Sequence, residues 1–362
     1  MLPALLGEAL PSAIGDRIAG CRARYLQRFT RLKTELFEIT DALDQASIEF
    51  VLLKGLTHSP TLTPDPVWRA QGDIDLWFRP EDVFRAHEVL QRLNYVSLLP
   101  SKARHLAPMA RPSNWKWRGD LHDPEMPISV ELHFELWSEK TDHIPIPGLD
   151  KFWERRRRRD FDGHSINVLS EEDLLGFAAL HLLLHLLHGE FPAQRAWEIG
   201  NFLHRTRNDG RFWKLWRESH SPELRTLEAL VFQLVHTWFG CHLDRFVRVE
   251  AQSLPAGAFR WLNEFSLSPL KQAFRPNKDE LWLHLALIPS FYRKLQVLIR
   301  RLFPLALPVF IDQFDDNTTA PLFRRLVRQR IRIANRLVHH VTSFAPGLFA
   351  GLRRRTRLFN GS

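Results

Sequence analysis

The amino-acid sequence predicts an α+β fold, in which a small sheet domain is followed by an all-helical domain. Three observations lead to this prediction. An amphipathic helical pattern comes first, short β-prone runs follow it, and helical spacing dominates from Glu171 onward. We expect an N-terminal helical segment at 1–45, the sheet domain at 46–165 and the helical domain at 166–362.

The first elements are a helix, a strand and a loop. Residues 15–48 repeat apolar side chains at helical spacing, without Gly or Pro after Cys21, which predicts one or two helices. The run IEFVLL at 48–53 is short and β-prone, so it predicts a strand. Residues 56–72 are rich in Thr, Pro and Asp and predict a loop without a regular element.

Two further strands complete the predicted sheet domain. DIDLWF at 73–78 and ISVELHFELW at 128–137 show the apolar and β-branched content of strands. Between them, residues 79–95 begin with a proline and acidic residues and continue with apolar side chains on one side, as amphipathic helices do. The arginine-rich segment 152–170 is expected to be a connector between the domains.

The second half of the chain predicts helices almost throughout. Apolar residues recur at helical spacing, and no repeat of fixed period is present. The predicted helices are 171–188, 193–207, 223–247, 257–265, 279–302 and 321–342.

Composition limits the class of protein. With 44% hydrophobic and 25% charged residues among 362, the chain is typical of globular proteins rather than disordered ones. A net charge of +9 favours anionic partners, whether nucleotides, nucleic acid or a membrane surface. The two cysteines are far apart in sequence, and the first residues do not resemble a signal peptide. The apolar runs are shorter than the about 20 residues that a membrane crossing needs. We therefore expect a cytoplasmic protein without a transmembrane segment.

Asp73 and Asp75 are the first candidate site. Residues two apart in a strand point to the same face, so the two carboxylates would lie side by side. Two like charges at such a short distance repel each other unless a cation lies between them. The pair therefore indicates either a metal site or a solvated strand end.

Four motifs in order carry a family resemblance. The chain reads LLKG at 52–55, Arg69, DIDLWF at 73–78 and VELHFEL at 130–136. In this order the motifs resemble the nucleotidyltransferase superfamily of DNA polymerase β-like fold, and most of all an uncharacterised bacterial branch with LKG, Arg, DIDL and ELH. The resemblance covers about residues 35 to 200.

This resemblance implies an enzyme with a small mixed-sheet domain that transfers an NMP from an NTP to a hydroxyl acceptor. The acceptor would be a small molecule, sugar, peptide or protein. The enzyme would need Mg²⁺ or Mn²⁺, because hard cations neutralise and orient the triphosphate. Asp73 and Asp75 would bind the metal that carries the nucleotide, and Glu131 would complete a second metal site and help remove the acceptor's proton.

The same resemblance implies a nucleotide-binding set. Lys54 and Arg69 would pair with the triphosphate, and Gly55 would let the backbone approach the phosphates. His133 shares the face of Glu131 by period-two alternation and would contact phosphate or acceptor, or transfer a proton. The alternatives are a surface lysine for Lys54 and a structural histidine at a sheet edge for His133.

The chain departs from the superfamily pattern in two places. Leu56 follows Gly55 where many relatives carry a small hydroxyl residue, so Thr57 or Ser59 would have to replace it. The gap at 56–72 is also longer than the compact polymerase-like motif. Both departures concern the nucleotide-binding half of the site rather than the carboxylates.

Other patterns leave alternatives open. His181, His185 and His188 share a helix face and could bind zinc, although a packed histidine helix is the favoured interpretation. The basic runs 155–159 and 353–357 could bind nucleic acid, although a solvated face is favoured. The competing functions are a non-catalytic nucleotide-binding or phosphate-binding protein and an RNA-directed transferase or RNA-binding protein.

Overall fold

The computed structural model describes most of the chain in two compact units. The described residues are 11–69, 71–98, 104–116, 118–120, 123–272, 274, 277–302 and 330–331. The first unit contains the described residues up to Thr141 together with Pro147–Phe177. The second unit contains Asp142–Ile146 and the described residues from Ala178 onward.

The first unit is built on a sheet of seven strands. The strands are β1 Val51–Leu53, β2 Asp73–Trp77, β3 Val96–Ser97, β4 Met109–Ala110, β5 Ser129–His133, β6 Arg157–Phe161 and β7 His164–Val168. The helices are α1 Ser12–Gln45, α2 Val83–Arg92, α3 Glu139–Asp142 and α4 Lys151–Glu154, with 3₁₀ turns at Gly55–His58 and Pro66–Trp68.

The sheet is mixed, which confirms the predicted α+β class. Its order is β3-β4-β5-β2-β1-β7-β6. The central strand β2 runs antiparallel to β1 and parallel to β5. In this register Asp75 lies opposite Glu131 on one side and opposite Leu53 on the other. The end of β1 and the carboxylates of β2 and β5 therefore meet at one place in the sheet.

The core of this unit lies between the sheet and helix α1. Ile74 and Leu76 of β2 are fully buried, as are Leu36 and Ile39 of α1, and all four belong to one apolar cluster. Burying a side chain of this size contributes about 2 kcal/mol. Alternation then leaves Asp73 and Asp75 on the opposite side of β2 from the two core residues.

The prediction that residues 152–170 form a connector is wrong. This segment forms α4 and then the antiparallel hairpin of β6 and β7. Two arginines of the run have protein partners: Arg155, which precedes β6, makes two hydrogen bonds to Asp173, at 2.6 and 3.0 Å, and Arg159 within β6 donates to the carbonyl of Thr57. The loop predicted at 56–72 likewise contains two 3₁₀ turns.

The remaining helices follow the predicted order with two breaks and two helices that were not predicted, at Gly210–Ser219 and Ser268–Gln272. They are α5 Glu171–Leu187, α6 Ala193–Arg205, α7 Gly210–Ser219, α8 Pro222–Phe239, α9 Arg245–Ala251, α10 Ala256–Phe265, α11 Ser268–Gln272, α12 Glu280–Leu287 and α13 Phe291–Leu302.

Each break has a local cause. The predicted helix 223–247 ends at Phe239 because Gly240 adopts a left-handed conformation with φ of 64°, and Asp244 caps the next helix. The predicted helix 279–302 is interrupted before Phe291, where the chain contains Pro289. The predicted helix 321–342 lies outside the described residues except for 330–331.

Helix α5 contains the leucine-rich run at 174–187. It has 17 residues, which corresponds to a length of about 25 Å. None of the helices in the described part of the chain combines the length and the apolar content that a bilayer crossing requires.

Candidate active site

Asp75 lies at the centre of the candidate site. Its side chain is completely buried, and its Oδ1 accepts hydrogen bonds from Lys54 Nζ at 2.7 Å and His133 Nε2 at 2.8 Å. Burial alone would raise the pKa of Asp75, but the charge of Lys54 and the bond from His133 hold it well below its usual value. The other oxygen, Oδ2, is buried without a hydrogen-bond partner among the described residues. A buried carboxylate oxygen without a partner is costly, which is the first indication of a ligand.

Glu131 and His133 extend this cluster along β5. Glu131 Oε2 lies 3.4 Å from His133 Nε2 and 3.8 Å from His105 Nε2. Burial lowers the pKa of His133, but its bonds to Asp75 and Glu131 outweigh burial, so the net pKa is raised. One ligand atom each from Asp75, Glu131 and His133 lie within 4.8 Å of one another, a spacing that a metal ion can bridge.

Asp73 lies beside this group rather than within it. Burial and the negative charge of Asp75 raise its pKa to about 6, although Lys54 and Arg69 act in the opposite direction. Its backbone carbonyl accepts a 2.7 Å hydrogen bond from Gln71 Nε2. Asp73 is therefore a carboxylate that the metal-free protein keeps charged only at a cost.

A tight turn after β1 carries Lys54 and Gly55. Both have positive φ angles, 54° and 51°, which glycine adopts readily and lysine rarely. A Cβ atom on Gly55 would collide with the side-chain amide of Gln71. Only glycine fits this position, because it is left-handed and closely packed against the residue that leads into β2.

The hydroxyl groups named in the sequence analysis have backbone partners. Thr57 Oγ1 donates to the Lys54 carbonyl at 2.7 Å, and Ser59 Oγ donates to the Pro64 carbonyl at 3.2 Å. Both hydroxyls stabilise the loop that leads away from β1. In this conformation neither compensates for the leucine that follows Gly55.

Helix α1 positions the loop that carries Arg69, a role that the sequence analysis missed. Tyr25 Oη donates to the carbonyl of Arg69 and accepts from Gln71 N at 3.2 Å. Arg28, fully buried, donates to the Gly72 carbonyl at 2.9 Å. These contacts cross at least 44 residues of sequence, so the helical pattern of α1 contains no signal for them.

The family comparison agrees with this geometry. A family model described as uncharacterised nucleotidyltransferase matches residues 4–240, about two thirds of the chain. The chain belongs to this nucleotidyltransferase family. No curated protein matches the chain. No solved structure matches it either.

In this member of the nucleotidyltransferase family, the other predicted ligand groups have protein partners. His181 and His185 approach each other at 3.2 Å between their Nε2 atoms, and Arg195 contacts both. His188 Nε2 lies 3.5 Å from Asp142 Oδ1. In the described part of the chain these histidines do not form a metal-ligand group of three, whereas Asp75, Glu131 and His133 do.

The first basic run, 155–159, has protein partners at its first two arginines. In the first run, Arg155 is paired with Asp173, and Arg156 lies over the ring of Trp153. Arg157 and Arg158 are exposed. The second run, 353–357, lies outside the described residues.

Proposed function

We propose that this chain is a divalent-metal-dependent nucleotidyltransferase that moves an NMP from an NTP to a hydroxyl group. The observation that carries the proposal is the convergence of Asp75, Glu131 and His133 in a chain of the nucleotidyltransferase family. In the reaction, the oxygen of the acceptor hydroxyl group bonds to the α-phosphorus. The bond between the α-phosphorus and the oxygen that bridges it to the β-phosphorus breaks, and pyrophosphate leaves. The acceptor would be a small molecule, a sugar, a peptide or a protein.

The residues around Asp75 fit a divalent cation such as Mg²⁺ or Mn²⁺. Its Oδ2 is buried without a partner, and the neighbouring carboxylates of Asp73 and Glu131 repel it. Asp73, Asp75 and Glu131 would hold the cation, since carboxylate oxygens are the ligands that these metals prefer. When bound, the cation would neutralise the triphosphate and polarise its oxygens.

Lys54, Gly55 and Arg69 would bind the triphosphate. Lys54 is 7% exposed and pairs with Asp75, so its ammonium already lies at the carboxylates and needs only a small movement to reach a phosphate. Gly55, without a Cβ atom, allows the backbone of the turn to approach phosphate oxygens. Arg69 would add a planar guanidinium, which pairs with phosphate through two hydrogen bonds.

Glu131 would accept the proton of the attacking hydroxyl group. Burial raises its pKa, but the hydrogen bond from His133 outweighs this effect and the net pKa lies below the usual value. Glu131 is therefore charged at neutral pH, and its carboxylate can accept a hydrogen bond from the hydroxyl group of the acceptor substrate. His133, 3.4 Å away, would keep the carboxylate in position.

We further propose that LLKG, Arg69, DIDL and VELH are the motifs of the uncharacterised bacterial branch. The proximity of Lys54 to Asp75 and the parallel pairing of Asp75 with Glu131 support this assignment. We also propose that the domain limits are 1–45, 46–165 and 166–362.

Pyrophosphate release tests the proposed activity and separates its alternatives. Purified protein is incubated with Mg²⁺, each NTP and either a small-molecule extract, a protein extract or RNA. Release that depends on an extract supports transfer to a small molecule or protein, and release that depends on RNA supports an RNA-directed transferase. NTP binding without release under any condition would indicate the non-catalytic alternative and contradict the proposal.

A further inference from the structure

The second unit contains an open surface cavity whose basic lining residues are all exposed. Its volume is about 550 Å³, and it lies where α6 and α8 end and α9 begins. Its titratable lining, apart from one cysteine, consists of Arg207, Arg248, His204, His236 and His242. Among the described residues, no Asp or Glu lines this cavity. A pocket with cations and without counter-charges attracts anions.

The two arginines retain donors that the protein does not use. Arg207 Nη1 donates to the carbonyl of His204 at 3.1 Å, and Arg248 Nε donates to the carbonyl of Leu243 at 3.1 Å. Within the described chain, neither guanidinium pairs with a carboxylate, and both terminal nitrogens of Arg248 and Nη2 of Arg207 have no protein partner. Guanidinium donors of this kind bind phosphate through charge-assisted hydrogen bonds.

Helix ends explain only part of this basic lining. His204 and His236 lie in the last turns of α6 and α8, where positive charge complements the negative end of the helix dipole. That effect accounts for single basic residues at separate helix ends. It does not account for His242, which lies outside the helices, or for the shared cavity.

The other lining residues add no charge to the cavity. Leu243 and Cys241 are buried, and Gln233 adds a polar amide. Burial raises the pKa of the Cys241 thiol to about 11, so it is neutral and does not repel an anion. The volume lies within the range of small-molecule sites, about 300 to 1,000 Å³. Within this space the arginine donors offer a compact anion several hydrogen bonds.

We propose that this cavity is a second anion site, which binds a compact phosphorylated ligand such as pyrophosphate or a phosphomonoester. The inference goes beyond the proposed transfer reaction and does not depend on it. Its ligand contacts are the guanidinium groups of Arg207 and Arg248, with the imidazoles of His204, His236 and His242 around them.

Arginine labelling tests the proposal at the residues themselves. The full chain is treated with phenylglyoxal in EDTA, with and without pyrophosphate, and labelling at each arginine is measured by mass spectrometry. At ten times the dissociation constant, pyrophosphate should slow labelling of Arg207 and Arg248 about tenfold. Labelling of Arg211 and Arg260, which are exposed and outside the cavity, should not change.

Calorimetry with matched variants provides a second measurement. Arg207→Gln combined with Arg248→Gln should weaken pyrophosphate binding about tenfold or more, because each substitution removes charge-assisted hydrogen bonds to the ligand. Arg211→Gln combined with Arg260→Gln is the control and should bind as the wild type does.

Labelling in the presence of different phosphate compounds identifies the class of ligand. Stronger protection by glycerol 3-phosphate than by pyrophosphate would support an organic phosphate as the ligand, and the reverse would support pyrophosphate. Unchanged labelling of Arg207 and Arg248 with both ligands would overturn the proposal. Protection by polyuridylate alone would also overturn it and indicate an RNA-binding surface.

Discussion

Asp73→Asn should stabilise the metal-free protein at alkaline pH. The pKa of Asp73 is raised from 3.8 to about 6, so the folded state binds its proton more tightly than the unfolded state does. Stability from this protonation is fully present below pH 3.8 and is lost as pH rises through 6. At 1.36 kcal/mol per pKa unit, the charged Asp73 costs the folded state about 3 kcal/mol at pH 8 and about 1 kcal/mol at pH 4.5. Asparagine removes this cost.

Hydrogen exchange of β2 measures this effect locally, which matters because a chain of two units need not unfold in one step. In EDTA at pH 8, the variant's β2 amides should exchange about a hundredfold more slowly than those of the wild type. After correction for intrinsic exchange, the gain at pH 4.5 should be much smaller. Glu135→Gln, at an exposed carboxylate, is the control and should change stability by less than about 0.5 kcal/mol.

Metal should reverse the ranking of the two proteins. Saturating Mn²⁺ should protect β2 in the wild type by mass action and leave Asp73→Asn almost unchanged. Equal protection of wild type and variant in EDTA at pH 8 would refute the claim that burial and the charge of Asp75 destabilise the charged Asp73. Equal protection of both by Mn²⁺ would remove Asp73 from the metal site.

Three further predictions concern the surroundings of this site. Gly55→Ala should destabilise the first unit by about 2 kcal/mol, measured by hydrogen exchange of β2, because its φ is positive and its Cβ atom collides with Gln71. The loss should shrink in a Gln71→Ala background, and an unchanged loss would contradict the packing argument. Lys54→Met should raise the affinity for Mn²⁺ alone and lower that for an NTP about tenfold in calorimetry, whereas changes of the same sign would contradict its proposed role. Arg155→Ala should cost about 3 kcal/mol in the same exchange experiment, because the fully buried carboxylate of Asp173 loses two charge-assisted hydrogen bonds. The exposed control Arg158→Ala should cost less than about 0.5 kcal/mol.

The strands of the site could be predicted because their signals are local. DIDLWF has the alternation of a half-buried strand, and β2 covers Asp73–Trp77 of it. VELH lies in β5, and IEFVLL contains β1. Asp73 and Asp75 share a face by period-two alternation within one strand, which needs no tertiary information. The position of Glu131 beside Asp75 depends on the parallel pairing of β2 with β5, and only the family resemblance indicated it.

The rest of the sheet could not be predicted, because distant partners determine it. The run of five arginines has no strand signal, and its first two members, which precede β6, pair with the distant residues Asp173 and Glu49. Strands β3 and β4 contain two residues each, too few for a periodic pattern. The contacts of Tyr25 with Arg69 likewise join a helix to a loop 44 residues away.

The most direct test of the proposed reaction follows the label of a radioactive NTP. Protein, Mg²⁺ and cell extract are incubated with NTP that carries ³²P at either the α- or the γ-phosphorus. We predict that α-label enters an acceptor and γ-label appears in pyrophosphate, and that Asp73→Asn combined with Asp75→Asn abolishes both. Entry of γ-label into an acceptor, or α-label transfer at the wild-type rate by the double variant, would contradict nucleotidyl transfer at these carboxylates.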